Sequence, residues 1–175
     1  MRLRAAPLAI PFHVVLVEPE IPPNTGNVAR LCAATGSPLH LVGKLGFRID
    51  EQSVRRAGVD YWHLVDVRQH GDFATFEREH AAAGARTGRV GKTWMFSAHA
   101  TLSLYDAPFE PGDALVFGKE SVGLDPELVA RYPQTTVGIP TLGAVRSLNL
   151  ANAASLGIYE ALRRTGAFSR TYSEG

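Results

Sequence analysis

The chain has 175 residues, of which 45% are hydrophobic and 20% charged, enough apolar material for one folded domain and too much for a disordered chain. Eighteen lysines and arginines against 17 acids leave a formal charge of +1. That excludes binding nucleic acid by bulk charge but not through a local basic patch. The single cysteine, Cys32, excludes an internal disulfide and a Cys-rich metal site.

The first eleven residues, MRLRAAPLAIP, read as an N-terminal arm, because Pro7 and Pro11 interrupt any signal-like apolar run. Residues 12–18 (FHVVLVE) form a short valine-rich run typical of a buried strand. Pro19, Pro22 and Pro23 then force an extended loop. Asn24 or Thr25 is placed to cap a helix that turns Val28, Leu31 and Cys32 inward and stops at Gly36. A strand over 39–42, a helix over 50–58, a strand over 61–67 and a helix over 72–83 follow; Phe73 and Phe76 share a face of the last.

Residues 93–96 and 114–117 read as further strands and 136–139 as the final one. Asp125-Pro126 has the form of a cap followed by proline at the first helical position. The closing helix spans about 147–164, with Ser147 as its cap and Gly166 past its end. Alternation of strand and helix predicts a single α/β domain over 12–166, a mostly parallel sheet with helices on both faces. Residues 167–175 are small and polar, a tail expected to fray.

Ligands of such sheets sit beyond the carboxyl ends of the strands. Three loops lie there. In PPNTGNVAR (22–30), Asn24, Thr25, Gly26 and Asn27 offer donors at a helix N-terminus, with Arg30 one turn in; the stretch suits an anion, the alternative being an elaborate cap. FGKESVGL (117–124) offers Gly118 for close backbone approach and the Glu120 carboxylate, or an ordinary turn. IPTLGAVRSLNLAN (139–152) carries Asn149 and Asn152 at i and i+3, residues that helices disfavour unless given a hydrogen-bonding task.

Other chemistry finds little support. No GxGxxG follows the first strand and no GxxxxGK[ST] occurs. The six histidines lack metal-ligand spacing and read as surface or satisfied core residues; Cys32 reads as a small buried hydrophobe. Arg86, Arg89 and Lys92 form a local cluster without acids, either solvated loop charge or a phosphate-contacting surface. The small residues Ala151, Ala153, Ala154, Ser155 and Gly157 permit close helix packing, on the chain's own sheet or across a dimer. The longest uncharged run, 132–145, is broken by Pro133 and Pro140 and falls short of the ~20 residues of a membrane span. A cytoplasmic protein with no membrane association and no metal is the expectation.

Taken together, EPEIPPNTGN (18–27), RLCAATG (30–36), Gly46-Phe47, RRAGVDYW (55–62), FGKESVGL and RSLNLANA (146–153) resemble the motifs of the SPOUT methyltransferases. The nearest likeness is to the small tRNA 2′-O-methyltransferases of the wobble nucleotide, position 34. The resemblance runs from about residue 12 to 166. It implies a SPOUT fold with a C-terminal trefoil knot, a homodimer, S-adenosylmethionine as cofactor and a tRNA anticodon stem-loop as substrate.

By the same resemblance, Phe96, Gly118, Ile139, Ser147 and Leu148 would hold the cofactor through main-chain groups. Arg30 would be the activating residue, with Glu120 and Asn27 orienting it and Asn149 and Asn152 shaping the third loop. A guanidinium, with a pKa above ~12, acts here as a cation rather than a base. Arg55, Arg56, Arg86, Arg89 and Lys92 are the candidate RNA contacts. One departure is Lys119, where similar sequences often have proline. The alternatives are the same reaction at another tRNA or rRNA site, a catalytically silent RNA-binding dimer, and a small-molecule phosphate-binding protein.

Overall fold

The computed structural model of the chain describes residues 1–47 and 62–174. In chain order these form β1 (Arg2–Ala5), β2 (His13–Val17), α1 (Pro22–Thr35), β3 (Leu39–Val42), a 3-10 turn (Trp62–Leu64) and β4 (Val67–His70). There follow α2 (Phe73–Thr87), β5 (Thr93–Phe96), β6 (Leu102–Ser103), β7 (Ala114–Phe117), α3 (Pro126–Ala130), β8 (Thr136–Gly138), α4 (Leu150–Arg164) and β9 (Thr171–Glu174). Seven strands make one sheet in the order β4-β3-β2-β7-β5-β8-β6, with every pair parallel.

The central strands are largely apolar because both sheet faces are covered. On one face α1 and α4 pack over Val14, Leu16, Leu39, Leu41, Leu115 and Phe117. On the other, α2 and α3 cover Val15, Val42, Met95 and Val116 through Phe73, Phe76, Leu128 and Val129. The small residues of α4 serve its own sheet. Ala151, Ala154 and Gly157 are buried, and a Cβ on Gly157 would stand 2.9 Å from Phe96 Cζ. Cys32 lies buried in the same layer, where desolvation pushes its thiol pKa up to about 12 and leaves it inert.

Several boundaries differ from the sequence reading. Helix α1 starts at Pro22, with Ile21 as an N-cap that makes no side-chain bond, so neither Asn24 nor Thr25 is the cap. Two prolines at the first helical positions fix φ early and carry Asn24 inside the helix. Asn149, not Ser147, caps α4, its Oδ1 accepting from the Ala151 and Asn152 amides. In place of a strand over 61–67, a 3-10 turn precedes β4, an edge strand of sequence VRQH whose polar residues hide its period. Residues read as an arm and a fraying tail pair antiparallel instead, Arg2 opposite Glu174, with an Arg4–Glu174 ion pair at 3.0 Å. The helix expected over 50–58 lies outside the described residues.

Two buried polar clusters are absent from the sequence reading. Asp113, wholly buried, accepts from Arg89 Nη2, Trp94 Nε1 and the amides of Lys92 and Glu110. Beneath α2, a file of histidines crosses three strands. His13 Nδ1 lies 2.9 Å from His40 Nε2, His40 Nδ1 lies 2.9 Å from His70 Nε2, and His70 Nδ1 lies 3.3 Å from Glu79 Oε2. Among the described residues His70 Nδ1 makes no hydrogen bond, so its approach to Glu79 is electrostatic only, and in each ring-to-ring contact one nitrogen donates and the other accepts. The His80 ring stands edge-on to His13 and stacks on Phe76.

Candidate active site

The carboxyl ends of β7, β5 and β8 are neighbours in the sheet, and they place Phe96, Gly118 and Ile139 side by side. The turn after β7 doubles back tightly: a Cβ on Gly118 would meet Leu124 N at 2.2 Å and Gly123 C at 2.3 Å. Glycine at 118 is therefore required by the loop's own closure, whatever ligand approaches from the other side. Ser147 and Leu148 lie in the exposed stretch that leads into α4.

The first and second loops are joined by exchanged carboxylates. Glu20 accepts from the Ser121 amide at 2.9 Å and the Ser121 hydroxyl at 3.0 Å. These bonds hold its carboxyl pKa below the usual range. Glu120 accepts in return from the Glu20 amide at 2.9 Å, the Ile21 amide at 3.2 Å and Asn24 Nδ2 at 3.0 Å. The Asn24 carbonyl oxygen then accepts from Asn149 Nδ2 at 3.0 Å. One unbroken chain, Glu120–Asn24–Asn149, thus joins the first loop to two loops 96 and 125 residues further on, and ends at the N-terminus of α4.

Of the predicted site residues, Glu120 and Asn149 meet in this chain, and Asn152 joins it through its amide. Asn27 and Arg30 stand exposed on α1, at i and i+3, next to the junction. Sequence reasoning offered Asn24 as a helix cap or an anion donor, whereas it is buried and bonded to Glu120 and Asn149. Its signal was present: after a Pro-Pro helix start, an asparagine is too far in to be the cap, and a buried amide in a helix needs partners.

Of the basic candidates, Arg89 is committed within the fold, bonded to Asp113, Glu110 and the Pro111 carbonyl. The absence of acids read from 80–105 is thus made good from 110–113. Lys92 Nζ lies over the Trp94 ring, 6.0 Å from its centroid, and Arg86 is exposed in the last turn of α2. Arg55 and Arg56 lie outside the described residues.

The residues at the three strand ends suit S-adenosylmethionine. Adenine asks for main-chain donors and acceptors between apolar walls, which Phe96, Ile139 and Leu148 would supply, and a cationic sulfur asks that no bare cation stand beside it. The nearest lysine in sequence, Lys119, is neutralised by Glu18 at 2.6 Å. No cluster of potential metal ligands, and no helix long and apolar enough to cross a membrane, occurs among the described residues.

Residues 11–159 match the SpoU rRNA Methylase family. The chain is 46% identical over 156 residues to a tRNA (cytidine(34)-2′-O)-methyltransferase of Burkholderia pseudomallei (strain 1106a), a match covering 89% of this chain and 96% of that one. A solved structure concerned with 2-OH methylation of C/U34 on tRNA superposes with a TM-score of 0.78 at 48% identity, over 89% of this chain and 96% of the other. The methyltransferase AviRb from Streptomyces viridochromogenes, solved with AdoMet, gives 0.74 at 27% identity over 90% of this chain and 59% of its own. The alternation of strand and helix, the three loops at the carboxyl ends and the matched span agree: the chain belongs to the SpoU rRNA methylase family.

Proposed function

We propose that this protein transfers a methyl group from S-adenosylmethionine to the ribose 2′-hydroxyl of nucleotide 34 in tRNA, working as a homodimer. The observation that carries the reading is the Glu120–Asn24–Asn149 chain, which fixes three loops around one cleft. The relative from Burkholderia pseudomallei, matched nearly end to end, supports the substrate. When bound, S-adenosylmethionine supplies an electrophilic methyl on a positively charged sulfur, and Phe96, Gly118, Ile139, Ser147 and Leu148 would hold it.

The chain's own task is to make a very weak acid nucleophilic. Arg30 stabilises charge developing on the 2′-oxygen and clamps the adjoining phosphate. The hydroxyl proton passes to that phosphate or to water, since a guanidinium stays protonated. Glu120 and Asn149 hold the loop ends, and Asn27 and Asn152 flank the cleft. Tyr159 and Leu156 on α4, both exposed in the single chain, supply an apolar face for the second protomer. Arg86 and Lys92 remain candidates for RNA backbone contacts, which predicts binding that weakens steeply with salt.

Incubating the protein with labelled S-adenosylmethionine and a total tRNA pool, then mapping the product, tests the reading. Label on the ribose of nucleotide 34 is expected. Label at another tRNA or rRNA site would move the protein to a different substrate within its family, and cofactor uptake without transfer would make it a silent RNA-binding dimer.

A further inference from the structure

Strands β1 and β9 both lie outside the span that matches the SpoU family, residues 11–159. That span holds thirteen basic and fifteen acidic residues, a net charge of −2. The residues before and after it hold five arginines and two glutamates, a net charge of +3. The positive excess of the chain is thus carried by its two ends, which the fold brings together.

The ends pair as a ribbon of their own, separate from the seven-stranded sheet. Residues opposite one another in an antiparallel pair share a face. Arg2, Arg4, Tyr172 and Glu174 therefore stand on one face, and Leu3, Ala5, Thr171 and Ser173 on the other. All but Ala5 are exposed, and a two-stranded ribbon open on both sides is marginal by itself. Its base is firmly held: Ala167 packs against the core, Phe168 stacks on Tyr159 with centroids 5.6 Å apart, and Arg164 donates to the Tyr105 carbonyl. Arg170, also exposed, directly precedes β9.

The two glutamates barely offset this charge. Glu160 is occupied by Arg163, while Glu174 meets Arg4 in a pair whose side chains are 57% and 47% exposed, weak enough to yield to a phosphate. Among the described residues no acid pairs with Arg2 or Arg170. The centre of a protomer interface is depleted of charge, whereas arginine forks and tyrosine hydroxyls are common donors to phosphate oxygens. Helix α4 begins at the cleft with its Asn149 cap and ends at the base of the ribbon, so its fifteen residues set the two about 22 Å apart. A partner that reaches both is an extended polyanion.

We infer that the β1–β9 ribbon binds the phosphate backbone of the substrate tRNA through Arg2, Arg4, Arg170 and Tyr172, well away from the methylated ribose. The inference rests on the tRNA reading above and adds to it a binding element outside the family's matched span.

The test measures binding of labelled tRNA by fluorescence anisotropy over a series of salt concentrations, alongside steady-state methyl transfer. Combining Arg2→Ala, Arg4→Ala and Arg170→Ala is expected to raise Kd and the KM for tRNA about tenfold or more at low salt. The slope of log K against log salt should become shallower by about 2, since each lost phosphate contact removes slightly less than 1. Both kcat at saturating tRNA and calorimetric affinity for S-adenosylmethionine should stay at wild-type values. Glu174→Gln, which releases Arg4, is expected to tighten tRNA binding about twofold, and it carries the test if the triple variant does not fold. A ribbon with a structural role alone would show the reverse. Unchanged Kd and slope in the triple variant, or weaker binding by Glu174→Gln, overturns the inference. So does dissociation of a wild-type dimer in the triple variant, read by sedimentation, which would assign the face to the second protomer. Wild-type protein that binds tRNA but methylates a nucleotide other than 34 overturns the position-34 reading and leaves the ribbon's role standing. Wild-type protein without affinity for tRNA overturns both.

Discussion

Arg30 and Asn24 sit two turns apart on α1 and do different work. Arg30 is exposed and, in the mechanism proposed above, meets substrate, whereas Asn24 is buried and bonded to two other loops. Arg30→Ala is therefore expected to abolish methyl transfer while S-adenosylmethionine affinity, measured by calorimetry, stays near wild type. Asn24→Ala strands the Glu120 and Asn149 groups it satisfied, which should cost about 1–3 kcal/mol of stability. Thermal unfolding should fall by a few degrees, and cofactor affinity with it. The place of Arg30 on the first helix was legible in the sequence because a cation one turn into a helix start is a local feature. The role of Asn24 was not, because its meaning depends on a carboxylate ninety-six positions away.

At the level of single elements, the hydrophobic strands were legible and the polar ones were not. The apolar tetrapeptides at 39–42, 93–96 and 114–117 fall where the sequence puts them, since burial on both faces demands such runs. β4, β1 and β9 escape because edge strands and exposed ribbons need no apolar period. The histidines escape for another reason: only parallel register sets His40 between His13 and His70. Burial lowers the pKa of His13 to about 3 and of His40 to about 2, and neighbouring rings push the same way. Around them Arg68 opposes protonation, while Asp66, Glu79 and Asp113 favour it without prevailing.

These folded-state values lie below the ~6.5 of an unfolded histidine, so the unfolded chain binds more protons as pH falls. The stability from neutral burial is complete above about pH 6.5 and drains away towards pH 3. Each such histidine contributes about 1.4 kcal/mol per pH unit over that window. Denaturant unfolding between pH 7 and pH 4 should show the decline, and a His40→Leu variant should show it with a shallower slope.

For the molecule as a whole, the exchange of carboxylates between the first and second loops sets where motion is allowed. Glu20 bonds the second loop and Glu120 bonds the first, so residues 18–24 and 118–121 move as one piece. Among the described residues the Asn149 bond ties the third loop to the first, and residues 141–149 are exposed. Hydrogen exchange followed with and without S-adenosylmethionine should show protection gained at 141–148 and little change at 18–24 or 118–121. Two walls of the cleft are riveted together, and the third, exposed over 141–149, is tied to them through Asn149. Entry of a fresh methyl donor and escape of the spent one then fall to the same short span, and turnover can be no faster than that span swings.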